Sequence, residues 1–302
     1  MAGTHPAAWS ESRNESWSFG DFFEKNCPQP QLFDLDAGRR MTLRGTGGTC
    51  LIIPPRAFTY PSGSSVEGRI SVSLRELFHP GQFVCSGHHT TSRGNVLESP
   101  AQVELSARQN DLPLNWEKTA DLWLPVRARS DNLLATRLFQ SSGSTTVSLF
   151  QQQFFDWQIL KAFRPALKVS GGQKFLAFKM AGNGWYACLS PFHFRRKKKG
   201  LISLKAVSPY GNYDQAVAFM VFHRLRSVVS MLPSLHTFTA FNIPLAEKAT
   251  AIIMAVRDGR LFYGQRMVEN TSRGLIRVEI REMEEASITR SLLSLRQSYE
   301  RR

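Results

Sequence analysis

Five consecutive cations, Arg195, Arg196, Lys197, Lys198 and Lys199, follow Phe192-His193-Phe194 and form the sharpest chemical feature of the chain. Adjacent like charges repel, so such a run stays solvated or meets anions. Arginine offers bidentate contacts to phosphate and lysine a point charge. The preceding rings could stack on bases or enter a lipid interface. The alternative is an exposed loop with Phe192 and Phe194 packed inward. No signature of an RNA-binding or single-stranded-DNA-binding fold accompanies the run.

Cys85-Ser86-Gly87-His88-His89, with His79 nearby, is the best metal candidate. Zinc favours thiolate and imidazole, but a structural site takes four ligands at defined spacing. Adjacent histidines on extended backbone point to opposite sides. Cys85, His88 and His89 therefore read as part of a polar loop between strands, and no metal or cofactor is expected. Gly45-Thr46-Gly47-Gly48 has the look of a phosphate loop, yet such a loop must feed a helix N-terminus. Here an apolar run at 49–53 and Pro54-Pro55 follow instead. Cys188 and His193 lie close in sequence, but no third group marks them as a dyad. Cys188 reads as a small buried hydrophobe. No G-x-S-x-G elbow occurs and no carboxylate pair stands out. The expectation is a non-catalytic chain.

The elements that would carry these residues are extended. Residues 69–75 alternate, with Ile70, Val72 and Leu74 on one face and Arg69, Ser71, Ser73 and Arg75 on the other. That is the period of a half-buried strand. Val103, Leu105 and Ala107 repeat it, as do Leu122, Leu124 and Val126. Residues 201–207, 216–222, 251–256 and 261–268 are apolar strand candidates, and the last two flank Asp258-Gly259, a strong hairpin signal. Ile276, Val278 and Ile280 alternate again. Only the end changes period: Ile288, Leu292, Leu295 and Tyr299 fall at helical spacing, which predicts a helix over 283–299. Glu284 and Glu285 at its start and Arg296, Arg301 and Arg302 at its end suit the helix dipole.

The reading is all-β: two β-sandwich modules with an N-terminal arm and a C-terminal α-helix. The arm spans 1–30, and its Trp9, Trp17, Phe19, Phe22 and Phe23 are expected to dock on a sheet. The first sandwich spans 31–130, a connecting β or irregular region 131–190, and the second sandwich with the helix 191–302. Residues 154–163 read equally as helix or strand.

Charge separates the two ends. The chain holds 38 basic and 24 acidic residues, a net of +14, and residues 191–302 carry 19 and 9 of them, a net of +10. Such a field attracts nucleic acid, anionic lipid or glycan, or an acidic protein; simple solubility is the other reading. Four scattered cysteines, Cys27, Cys50, Cys85 and Cys188, are too few for a disulfide scaffold and read as thiols, with one or two bridges open if the protein is exported. The polar start shows no signal peptide and no window of about 20 apolar residues exists. As written, the expected compartment is cytoplasmic; a leader removed from the chain would make it the cell envelope or outside.

The segment Val66-Glu-Gly-Arg-Ile-Ser-Val-Ser-Leu-Arg-Glu-Leu-Phe and the later Thr90-Thr-Ser-Arg-Gly-Asn-Val-Leu-Glu-Ser resemble a group of uncharacterised envelope-type proteins of Bacteroidetes. Those carry a strand of the type G-x-V-x-V-x-L-x-E and then a T-T-S-x-G-x-x-L loop. The resemblance continues at Gly184-Trp185, through 216–229, and at Phe241-Asn-Ile-Pro-Leu-Ala-Glu-Lys-Ala-Thr-Ala-Ile-Ile, covering roughly 35–300. The first module is also similar to the β-sandwich beside death domains in ankyrins and netrin receptors. The second is similar to the transthyretin-like sandwich of carboxypeptidase regulatory domains. There an N-I-P-x-G turn precedes a strand; Asn242-Ile243-Pro244 keeps it, while Ala246 stands where glycine is usual. The resemblance implies a structural or binding role, a protein partner or homo-oligomer, and no catalytic residues.

Overall fold

The computed structural model of the chain describes residues 18–126, 135–141, 157–161, 164–191, 199–208, 213–234, 237–245, 247–269 and 274–295. Helix α1 (Phe19–Asn26) comes first, followed by β1 (Gln31–Asp36), β2 (Met41–Arg44), β3 (Cys50–Ile53), β4 (Phe58–Thr59) and β5 (Arg69–Leu77). After α2 (Pro80–Cys85) come β6 (Thr91–Ser92), β7 (Asn95–Gln109), β8 (Leu112–Pro113), β9 (Asn115–Trp116) and β10 (Ala120–Pro125). The next group is β11 (Arg137–Ser141), β12 (Trp157–Ile159), β13 (Ala166–Ser170), β14 (Gln173–Met180) and β15 (Gly184–Pro191). The chain continues with β16 (Lys199–Val207), β17 (Gln215–Phe222), β18 (Ser227–Ser230), β19 (Leu232–Ser234) and β20 (Thr237–Pro244). It ends with β21 (Ala249–Arg257), β22 (Arg260–Val268), β23 (Gly274–Glu279), β24 (Arg281–Glu282) and α3 (Glu285–Ser294).

Two sheets make the first sandwich. Sheet I runs β1-β5-β7-β15-β11-β12, with β6 and β8 also paired to β7, and sheet II runs β13-β14-β10-β3-β2. Period-two burial closes them on each other. Ile70, Val72 and Leu74 of β5 and Val103, Leu105 and Ala107 of β7 meet Leu122 and Leu124 of β10 and Leu176 and Phe178 of β14 in one core. Arg69, Ser71 and Ser73 stay on the outer side, as the alternation requires.

The second sandwich pairs sheet III, β19-β20-β16-β23, with sheet IV, β18-β17-β21-β22-β24. Ile202, Leu204, Phe238, Met220, Ile253 and Val278 lie in its core. The β16–β23 ladder is parallel, while the other pairings of this sandwich are antiparallel. Between β21 and β22 the turn residues Asp258 and Gly259 have φ of 49° and 72°. Both turn positions need positive φ in a two-residue hairpin, and glycine meets that need without strain.

A third apolar core lies between the sandwiches. Trp185, Ala187 and Leu189, on the outer side of β15, share it with Val217, Phe219 and Val221 of β17 and Ile252, Met254 and Val256 of β21. All three helices fill it: Phe19, Phe22 and Phe23 from α1, Phe83 and Val84 from α2, Ile288 and Leu292 from α3. The Phe23 ring stands edge-on to Phe219 with centroids 6.3 Å apart. Strands β17 and β21 are therefore buried on both faces, which explains why their sequences are continuous apolar runs rather than alternating ones. Hydrogen bonds stitch the same boundary. Thr90 N–H donates to the Val228 carbonyl at 2.7 Å, Val228 N–H donates to Thr90 Oγ1 at 3.0 Å, and Arg226 donates to the Phe78 carbonyl.

Ile288 and Leu292 of α3 are buried at the predicted spacing, and Glu284 caps the helix N-terminus by position. Tyr299, Arg296, Arg301 and Arg302 lie outside the described residues, as do Trp9 and Trp17 of the arm. Cys27, Cys50, Cys85 and Cys188 are all buried free thiols. Among the described residues no helix is long and apolar enough to cross a membrane.

Candidate functional site

Of the five-cation run, Arg195, Arg196, Lys197 and Lys198 lie outside the described residues, and so do Phe192, His193 and Phe194. Lys199 opens β16 and is exposed. Two further cations share the outer face of sheet III with it. Lys205 follows on β16, and Arg277 on β23 is its direct cross-strand partner. Sequence reading did not group these three, because Arg277 reaches Lys205 only through a parallel pairing 72 positions away in the chain.

Cys85, His88 and His89 do not converge. Cys85 ends α2 inside the third core, and burial, reinforced by Cys27, pushes its thiol up to about 12. His88 is also buried. Its Nδ1 lies 2.8 Å from Gln102 Oε1, and its ring stands edge-on to Trp185 with centroids 4.2 Å apart. Burial drives its pKa down to about 3, with the Gln102 bond opposing and His89 and Arg75 adding to the fall. His89 turns away, accepting from Thr91 N–H at Nδ1. Among the described residues no group of three or more His, Cys, Asp or Glu side chains could hold a metal ion. Cys85 thus ends helix α2, while His88 and His89 lie in the irregular segment between α2 and β6, with His88 buried. His79 caps α2, its Nδ1 accepting from Gln82 N–H at 3.4 Å.

Beside this segment runs a polar seam that sequence reading missed. Arg75 pairs with Glu104 at 3.3 Å and lies over the Trp185 ring at 6.0 Å from its centroid. The Cys27 thiol accepts from Ser86 Oγ at 2.9 Å and from Arg75 Nη1 at 3.1 Å. Burial raises the Cys27 pKa despite both donors. Cys188 faces the first sandwich core, where burial holds it well above the ordinary thiol value.

The glycine-rich loop does bind an anion, and that anion belongs to the chain. Gly47 N–H donates to Glu76 Oε2 at 2.8 Å, Thr49 N–H to Glu76 Oε1 at 3.0 Å, and the Gln31 amide to Oε2 at 2.9 Å. A Cβ on Gly45 would lie 2.4 Å from Glu76 Oε2, and one on Gly47 would lie 2.3 Å from Phe78 Cε2. Glycine is needed here for close approach to the carboxylate. An internal ion pair ties the β17–β18 turn to the segment before β21, with Arg224 donating twice to the buried Glu247 at 3.0 and 2.6 Å.

An open groove of about 620 Å³ lies on the outer face of sheet I. Ser71, Ser73 and Ser106 line it, with Arg69, Arg108, Asp34 and Asp111. Register places Asp34, Ser71 and Arg108 in one row across β1, β5 and β7. It offers hydroxyls and both signs of charge to a polar ligand. Compared with known proteins, no family model matches the chain and no curated relative matches it.

Proposed function

We propose that the chain is a non-catalytic binding scaffold, acting by contact with a protein partner or with a second copy of itself. One observation carries this reading. The two sandwiches share an apolar third core through Trp185, Phe219 and Met254, so they are held as one body with outer sheet faces available for recognition. The likeness to envelope-type sandwich proteins supports the same reading. Native mass spectrometry and affinity capture with the full chain test it. An assembly is the expected result, and a monomer that captures nothing removes the proposal.

A second reading is favoured by the placement of Lys199, Lys205 and Arg277 on one sheet face, directly after the run 195–198. In this reading the C-terminal half binds a polyanion: nucleic acid, anionic glycan or anionic lipid. Affinity for such a ligand falls steeply with salt. Salt-insensitive binding, or none to heparin, DNA and anionic vesicles, removes it.

A further inference from the structure

The outer face of sheet III carries more than cations. Leu201 on β16 and Phe241 on β20 point outward side by side, 47% and 56% exposed. They are neighbours because a bulge at Asn242, with φ of 57°, shifts the register between Gly200 and Ile202. The next row across the sheet reads Leu232, Thr239, Ser203, Leu275. Its two leucines are 45% and 48% exposed. Four large apolar side chains thus occupy adjacent positions on one face. Singly exposed leucines are ordinary, but a contiguous set marks a contact surface.

Cations bracket this apolar zone along the strand, with Val207 and the acidic Glu279 in the row beyond Lys205 and Arg277. Lys199 stands two residues before Leu201, and Lys205 with Arg277 forms the row after Ser203. The cationic ends are about 20 Å apart at strand spacing. Neither Lys205 nor Arg277 has an ion-pair partner among the described residues. The contrast with sheet II is plain, where Lys179 and Asp121 pair at 2.8 Å on the outer face. In sheet IV the central strands β17 and β21 are covered on both faces.

From this pattern we infer that the outer face of sheet III seats on the surface of an anionic phospholipid bilayer, with Leu201, Phe241 and Leu275 entering the interface and Lys205 and Arg277 meeting phosphates. The inference deepens the polyanion reading above and rests on it. Charge opposes the simplest rival, a second copy packed face to face. About a twofold axis that contact gathers Lys199, Lys205 and Arg277 of both copies with Glu279 alone among the described residues of the face to offset them, in a chain of net charge +14. Base stacking by nucleic acid needs rings, and three of the four apolar side chains are leucines. A lipid interface accepts leucine and phenylalanine alike, and adds the phosphate layer the cations require.

Vesicle co-sedimentation of the full chain tests this, using neutral phosphatidylcholine vesicles and vesicles with about a third phosphatidylglycerol. The expected result is binding to the anionic vesicles only, weakened by salt. K205E/R277E lowers it at least about tenfold. L201S/F241S lowers it as well while leaving heparin binding intact, because heparin has no apolar layer. Both variants change exposed residues, and circular dichroism checks that they fold. Absence of vesicle binding while heparin is still bound overturns the bilayer inference and leaves the polyanion reading standing. Failure to bind vesicles, heparin and DNA alike overturns both. Vesicle binding indifferent to both variants also overturns the inference, as does a dimer that dissociates in L201S/F241S without any vesicle binding.

Discussion

The N–H of Gly47 donates to Glu76 Oε2 at 2.8 Å, and that bond ties a turn to a strand 29 positions further on. The same carboxylate takes Thr49 N–H, so one side chain closes the loop between β2 and β3 and fastens it to sheet I. Replacing Glu76 with Ala leaves these donors without their acceptor, Thr49 N–H in the buried interior. The expected loss is about 2–3 kcal/mol of unfolding free energy by urea titration. Gly47→Ala should lose a similar amount, since its Cβ has no room beside Phe78. Tolerance of both changes would mean the carboxylate does not hold the loop.

Stability should also depend on acid through His88. Its folded pKa, about 3, lies below the ordinary 6.5, so the native state keeps the ring neutral while the unfolded chain takes a proton first. The stability it contributes is complete above about pH 6.5 and is lost as pH falls toward the folded value. Urea midpoints at about pH 7.5 and about pH 4.5 should differ more in the wild type than in His88→Gln. Equal pH slopes would show that some other group controls the acid limb.

The shared core makes a prediction about cooperativity. No tryptophan follows position 185; Trp116 and Trp123 belong to strands before the second sandwich and Trp157 and Trp185 to the shared core, so fluorescence reports the boundary from the first sandwich's side. Met254→Ala sits across the boundary, on β21, and should cost about 2–5 kcal/mol. Fluorescence and far-ultraviolet circular dichroism should still give one coincident midpoint, shifted by the same amount. Two separate transitions, with the tryptophan signal unmoved, would mean the sandwiches unfold independently.

Arg224 is well exposed, yet its partner Glu247 is buried, with a side chain only 5% accessible. Arg224→Ala removes both guanidinium hydrogen bonds from that buried carboxylate, at a cost of about 1–2 kcal/mol because the arginine end is open to solvent. Arg224→Lys should recover only part, since a lysine cannot reproduce the two parallel bonds. Full recovery in thermal melts would reduce the pair to simple charge.

Much of the all-β architecture was legible because alternation is a local signal. Ile70, Val72 and Leu74 face the core as their spacing requires, and Asp258-Gly259 makes the hairpin its two residues specify. The helix at Ile288, Leu292 and Leu295 was equally readable. What local pattern cannot carry is the identity of a distant partner. The run 216–222 reads as an apolar strand, but nothing in it says that Trp185 and Phe23 cover its second face. The glycines at 45–48 have the composition of an anion cradle without naming Glu76. Short α2 holds too few residues for a period to emerge, so Cys85 read as part of the loop that in fact begins just after it. The cation set of Lys199, Lys205 and Arg277 exists only once β16 and β23 lie side by side.

Along β21, Ala251, Ile253 and Ala255 serve the interior of the second sandwich while Ile252, Met254 and Val256 serve the chamber behind it. With β17 beside it, this strand forms a wall one backbone thick between two apolar compartments. Parity then governs what a substitution does: enlarging an odd-numbered residue crowds one room, enlarging its even-numbered neighbour crowds the other. A swelling on either side must push the same ribbon, so sheet III and the tryptophan-rich half stand within one strand's reach of each other.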